Sequence, residues 1–309
     1  MTPGRTPAPP ARGPMSGAAW IGRALVADKL ALVAVTVLLL VVVVALLAPL
    51  LVGDAATRIG FLQRNLEPFS IGNGWLYVLG ADQLGRPILA RLIVGARNTL
   101  TIAFSAVVLS MVAGALLGLI AGYFRRWFST LILRAVDVLM SFPSLLLALV
   151  VLYTLGPSIP NLVLVLAITR IPVYLRTARA EVLELRQRVF VSAALAMGAS
   201  TPRILFRHIA PLVVPTVITI GAIDFATVIL AESALSFLGL GIQPPDFTWG
   251  AMVAAGRGYL GTSWWISFWP GLAIMLTTLS LNLVANWARV VSDPAQRWKL
   301  QALKETADG

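Results

Sequence analysis

The chain contains no cysteine, and its 309 residues include a single histidine, His208. It therefore offers no disulfide, no thiol nucleophile and no thiolate metal site, and a histidine-rich metal cluster is excluded as well. Acids are scarce: 13 Asp and Glu stand against 24 Lys and Arg. No G-x-x-x-x-G-K-[ST] phosphate loop occurs, so the chain is not expected to bind ATP itself. No nucleophile–base constellation stands out, and the sequence reads as a non-enzyme with no cofactor or metal of its own.

What the chain has in excess is apolar sequence. Mean hydropathy is +0.87, far above that of a soluble domain. Several apolar runs exceed the roughly 18 residues that mark a membrane span. The runs are continuous rather than alternating, which argues against a β-barrel. The fold class expected is an all-α polytopic membrane protein. A net charge of +11 in a soluble protein would suggest nucleic acid. Here the excess falls in loops read as cytoplasmic, as the positive-inside rule requires, and no nucleic-acid partner is inferred.

Taken in order, residues 1–29 form a basic cytoplasmic lead-in. It is rich in Pro, Gly, Ala and Arg as far as about Gly17, and that part is expected to be disordered. Residues 30–52 are too long for a signal-peptide core and lack a clear A-x-A site, so they read as an uncleaved first span. Residues 53–97 form a long outer loop with an amphipathic segment near its end. Residues 98–289 hold five more spans, beginning at about Asn98, Leu131, Asn161, Val213 and Trp265 and ending at about Tyr123, Leu155, Leu175, Phe237 and Trp287. Both termini are placed in the cytoplasm, with 290–309 as a tail.

Several residues inside these spans invite a structural expectation. Gly114, Gly118 and Gly122 recur every four residues and share one helix face, which permits close packing. Arg134 and Asp137 are three apart and can pair on one face. Phe142-Pro143 predicts a kink. Arg170, near the inner end of the short fourth span, either faces the protein interior or snorkels. Asp224 and Glu232 lie eight residues apart, about 80° around the helix, so both could face a central cavity. With Asp137, they are the candidate residues for a translocation path or an interface. Trp264, Trp265 and Trp269 read as an aromatic belt opening the sixth span.

The stretch Phe190 to Pro215 lies between two apolar segments, yet it is only half apolar itself. Ala193, Ala194 and Ala196 precede Gly198, then come Arg203, Arg207, His208, Pro211 and Pro215. This reads as a short helix, a Gly turn and a second short helix capped by Thr201, with the two prolines marking the start of the next span. Two such helices can anchor at the membrane surface. The nearly all-Ala face of the first buries little in lipid but lets another backbone come close, which suits docking in a protein groove.

The residues Ala193, Ala194, Gly198 and Pro211 resemble the EAA loop of ABC importer permeases, with Ser192 where the family has Glu. Leu79 to Leu100, LGADQLGRPILARLIVGARNTL, resembles the LGTDxLGRDxLSRLIYGARxSL signature of the dipeptide/oligopeptide/nickel subfamily, OppC/DppC type. Pro87 replaces the usual Asp there. Ile229 to Gly250 resembles the same subfamily almost residue for residue, Glu232 included, and Arg289 with Asp293-Pro294 matches near the end.

The resemblance, covering roughly Leu79 to Pro294, implies a type I importer permease with six spans in a bacterial plasma (inner) membrane. It implies a coupling loop formed by Ser192, Ala193, Ala194, Gly198, Ala199, Ser200, Arg203, His208 and Pro211, within the cytoplasmic loop 176–210. The implied partners are a second permease of OppB/DppB type, two cytoplasmic P-loop ATPases carrying ATP and Mg, an extracytoplasmic binding protein and the lipid bilayer. The implied substrate is a di- or oligopeptide. A nickel importer of the same subfamily is one alternative. An ATP-independent secondary transporter, with Asp224 and Glu232 as proton or cation sites, is another, although no convincing inverted repeat is seen. A membrane scaffold that carries nothing is a third.

Overall fold

The computed structural model describes residues 22, 24–124 and 127–292, and the described residues are predominantly helical. The expectations for 1–17 and for Arg125, Arg126 and Asp293-Pro294 lie outside them. Helix α1, Lys29–Val52, starts where the Asp28 carboxylate accepts the Ala31 N–H at 3.1 Å, satisfying one orphan donor of the first turn. Its alanines (Ala31, Ala34, Ala45, Ala48) are buried. Most of its leucines and valines point outward, as lipid contact requires. It lies against α2 and α9.

Helix α2, Ile88–Tyr123, has 36 residues. The span expected from Asn98 therefore begins ten residues earlier. The amphipathic segment forms the first turns of the same helix, because nothing between Pro87 and Tyr123 breaks it and Ile88, Ala90, Ile93 and Ala96 bury one stripe. At 1.5 Å per residue the helix is about 54 Å long, more than a bilayer core of about 30 Å.

The third span is broken rather than kinked. Helices α3, Trp127–Met140, and α4, Ser144–Leu155, meet at 87° across Pro143. Each is shorter than the roughly 17 residues a spanning helix needs. Among the described residues, five helices are long and apolar enough to cross a membrane, or six if the bent pair is one span.

Helix α5, Ile159–Leu185, includes Pro172 and continues past the expected end at Leu175. Tyr174, Leu175, Ala178 and Val182 carry its buried stripe onward, against the glycine face of α2. A Cβ added at Gly114, Gly118 or Gly122 would come within 2.6–2.8 Å of atoms of α5. The glycine register thus lets α2 and α5 pack closely, as expected.

Helix α6, Val189–Ala196, precedes α7, Thr201–Phe237, whose residues Ile204–Ile209 form a π-helical segment. The second short helix expected after Gly198 is the first part of this long helix. Ser200, not Thr201, occupies its N-cap position. Pro211 and Pro215 lie inside it. A helical proline removes a hydrogen bond and crowds the carbonyl four residues back. The wider π turn just before Pro211, in which the Ala210 N–H donates to Leu205 O, eases that crowding.

Helices α8, Trp249–Gly256, and α9, Trp265–Ser292, complete the fold. Trp264 is exposed, but Trp265 is buried and its indole N–H donates to Ala81 O at 3.0 Å. Trp265 is therefore a peg that seats the 53–87 loop, not part of a belt. Asp137 pairs with Arg176 of α5 at 2.8 Å rather than with Arg134, because α3 lies beside α5. Both side chains are about half exposed, so the pair contributes little stability.

Candidate functional site

The Ala-Gly stretch folds as a compact corner on the ends of α2 and α5. Helix α6 closes in a Schellman cap: the Ala199 N–H donates to Ala194 O and the Gly198 N–H to Leu195 O, each at 3.0 Å. Gly198 sits at φ +79°, a left-handed conformation that glycine adopts at no cost. No atom lies within 4 Å of where its Cβ would be. The requirement for glycine is conformational, not steric.

The corner has its own apolar core. Val191 and Ala194 of α6 and Ile204, Leu205 and Ile209 of α7 pack with Tyr174, Ala178 and Val182 of α5 and Leu119 of α2. Arg186 closes the junction by donating to Tyr123 O at 2.9 Å. The other face of α6 is open. Ser192, Ala193, Leu195 and Met197 are exposed, as are Gly198, Ser200, Arg203 and Pro211. Ala199 and His208 are half-buried. Of the nine residues singled out from sequence, only Ala194 is buried in the corner. The arrangement is a small, partly apolar knob held rigidly to three long helices. Its exposed face of small and apolar side chains is suited to contact.

The two intramembrane acids serve different joints. Asp224 is buried between α7 and α5, where Arg170 Nη2 donates to its Oδ1 and the Tyr174 hydroxyl donates to its Oδ2 at 2.9 Å. Arg170 therefore turns inward and does not snorkel. Its buried Nε has no partner. Glu232 is fully buried, and its Oε1 accepts from Ser236 Oγ at 2.6 Å and from Thr248 Oγ1 at 2.8 Å. Thr248 is also the N-cap of α8, accepting from Ala251 N. Glu232 thus ties the end of α7 to the start of α8. Asp137 stands apart, at the surface of α3.

Sequence reasoning missed Tyr174, Ser236 and Thr248, whose roles depend on which helices meet. It also missed Arg91, which is buried against Phe247 with its guanidinium 4.2 Å from the ring centroid. Among the described residues, no group of three or more His, Asp or Glu could hold a metal ion.

Comparison with known proteins agrees with this architecture. The family described as binding-protein-dependent transport system inner membrane component matches residues 114–298. The chain is 36% identical to the dipeptide transport system permease protein DppC of Alkalihalophilus pseudofirmus over 87% of both chains. It is 42% identical to the di/tripeptide transport system permease protein DppC of Pseudomonas aeruginosa over 71% of this chain and 72% of that one. It is 39% identical to the glutathione transport system permease protein GsiD of Pectobacterium atrosepticum over 70% and 72%. With the long apolar helices and the corner on α5 and α7, these matches place the chain in the binding-protein-dependent transport system inner membrane component family.

Proposed function

We propose that the chain is one of two permease subunits of an ATP-driven importer of di- or oligopeptides, and that its corner at 190–211 receives the push of a cytoplasmic ATPase. A second permease of related type, two P-loop ATPases carrying ATP and Mg, and an extracytoplasmic binding protein complete the machine. The observation that carries this reading is the exposed α6 knob fused to a long helix, in a chain whose relatives are named as peptide permeases. Those names favour peptide over nickel.

The mechanism follows from stiffness. Helix α7 is continuous from Thr201 to Phe237, so a displacement of the knob reaches the far end of the helix without a flexible joint. The buried core under α6 passes the same displacement to α2 and α5. Reversing a 1:99 population of inward and outward states takes about 5.5 kcal/mol of differential binding. A loose loop would dissipate that energy; a packed corner transmits it. The acids Asp224 and Glu232 hold helices in register within this lever, and substrate contact falls to other groups.

The test uses the absence of native cysteine. Single cysteines are placed at Ala193 and Ser200, both exposed, and at Ala194, which is 4% exposed, and crosslinking is done in native membranes. Adducts with a P-loop ATPase at 193 and 200, and none at 194, are expected. No adduct at 193 or 200, with transport by the chain alone, would favour the secondary-transporter reading.

A further inference from the structure

At the end of the bundle opposite the corner, a cleft of about 320 Å³ opens between the start of α2, the end of α7 and α8. It lies roughly 48 Å along α2 from Tyr123 at 1.5 Å per residue. Its size is at the lower end for small-ligand sites. Three guanidinium groups line it, those of Arg86, Arg91 and Arg257, with Asp246 as the one acid on its wall.

The charges are not mutually satisfied. Asp82, just behind the cleft, pairs with Arg91 only at ion-pair distance, because its closer contacts go to Leu84 and Arg86. Its Oδ1 receives the Leu84 and Arg86 N–H groups at 2.9 Å, and its Oδ2 receives Arg86 Nε at 2.7 Å. Arg91 Nη1 lies 3.6 Å from Oδ2, an ion pair outside hydrogen-bond reach, and is buried with no hydrogen bond. Arg91 as a whole is only 7% exposed. A buried charged donor without an acceptor is costly, and such a group calls for an explanation. Counting Asp82 and Asp246 against the three arginines leaves a net charge of about +1 around the cleft.

The aromatic residues set the orientation. The Arg91 guanidinium stacks over Phe247 and that of Arg257 lies over Phe237, 5.6 Å from the ring centroid. Stacking occupies the flat face of a guanidinium and leaves donors on its N–H edge, of which Arg257 spends one, on Nη1, at Phe237 O at 3.3 Å. That edge matches the two oxygens of one carboxylate. Phe237 and Phe247 also give apolar wall for a side chain beside that carboxylate.

We propose that this cleft binds the C-terminal carboxylate of the transported peptide, with Arg91 and Arg257 as its donors. The inference rests on the peptide-import reading above. It assigns to this chain a substrate contact at the end of the bundle remote from the ATPase knob.

The test uses the assembled importer in nanodiscs without binding protein, and a dipeptide carrying an N-terminal benzophenone side chain and a free C-terminus. Photolabel mapping to residues 237–257 is expected. Unlabelled dipeptide should protect roughly 10- to 100-fold better than its C-terminal amide, the range of charge-assisted hydrogen bonds. Arg91→Gln and Arg257→Gln should each shrink that difference. Arg257 is exposed, so its variant tests the site even if Arg91→Gln misfolds. Label elsewhere, or equal protection by acid and amide, overturns the proposal. Loss of labelling when phosphatidylglycerol is added would assign the cleft to a lipid phosphate and overturn it too. So would variants that weaken only docking of the binding protein. Uptake of the dipeptide by the complete wild-type importer is measured alongside. Failure there refutes the import reading itself, whereas uptake with an indifferent cleft refutes only this inference.

Discussion

Glu232 is a fully buried acid at the joint of α7 and α8. An acid in the middle of an apolar run is a functional candidate by default, and the surrounding motif confirms only that the position is particular. In the fold its Oε1 is committed to Ser236 and Thr248, so it acts as a bracket between α7 and α8. Glu232→Ala should leave two buried hydroxyls without their acceptor and cost about 2–3 kcal/mol. Glu232→Gln keeps a carbonyl oxygen in place and should cost less than half of that. Thermal unfolding of the purified importer in detergent checks the order; equal effects would show that the carboxylate's charge matters more than its acceptor. Pro87 is informative in the same way. It occupies the N-cap of α2 with no side-chain acceptor, which is where an Asp would bind an orphan N–H.

At the scale of the element, two glycines differ in kind. Gly118 has backbone and side chain of α5 against it: a Cβ would lie 2.7 Å from Ala178 Cβ and 2.7 Å from Leu175 O. Neither neighbour is a flexible tip, so Gly118→Ala should push α2 and α5 apart and cost about 1–3 kcal/mol. A fall in thermal stability, with a larger fall for Gly118→Leu, is the expected result. Gly198 has open space but a left-handed backbone. Asn tolerates that conformation and β-branched residues do not. Gly198→Asn should therefore retain coupling, whereas Gly198→Val should distort the knob and raise ATP hydrolysed per peptide imported. The ratio of hydrolysis to uptake in proteoliposomes is the measurement; full coupling by the Val variant would show that the cap geometry is dispensable.

Among the described residues, the helices carry two clusters of buried residues, one shared by α1, α2, α4, α5, α7, α8 and α9 and one under the α6 corner. Much apolar surface stays exposed on α1, α3 and α4, as expected of a chain embedded in lipid. The orientation follows from charge. The loop 176–210 carries six arginines against two glutamates, so it should face the cytoplasm. In the cysteine-free chain, Asn73→Cys should react with an impermeant maleimide from outside. Ser200→Cys should react only after permeabilisation. Both positions are exposed, so the reverse pattern would invert the topology.

The helical class, the apolar spans, the glycine register of α2 and the place of the Ala-Gly corner are legible in the residues alone. Each of these is a local pattern: hydropathy over a window, small residues every four positions, a glycine where a helix must turn left-handed. Pro143 is legible there too as a disruption, though not the 87° turn that results. How far α2, α5 and α7 extend is set by packing, because contact with neighbours carries a helix beyond its apolar part and through a proline. Packing also decides the partners of the charges. Asp224 meets an arginine 54 residues away, Asp137 meets Arg176 rather than its neighbour Arg134, and Trp265 reaches Ala81 across 184 residues. Such pairings are set by which helices lie side by side, and that is a property of the packed whole.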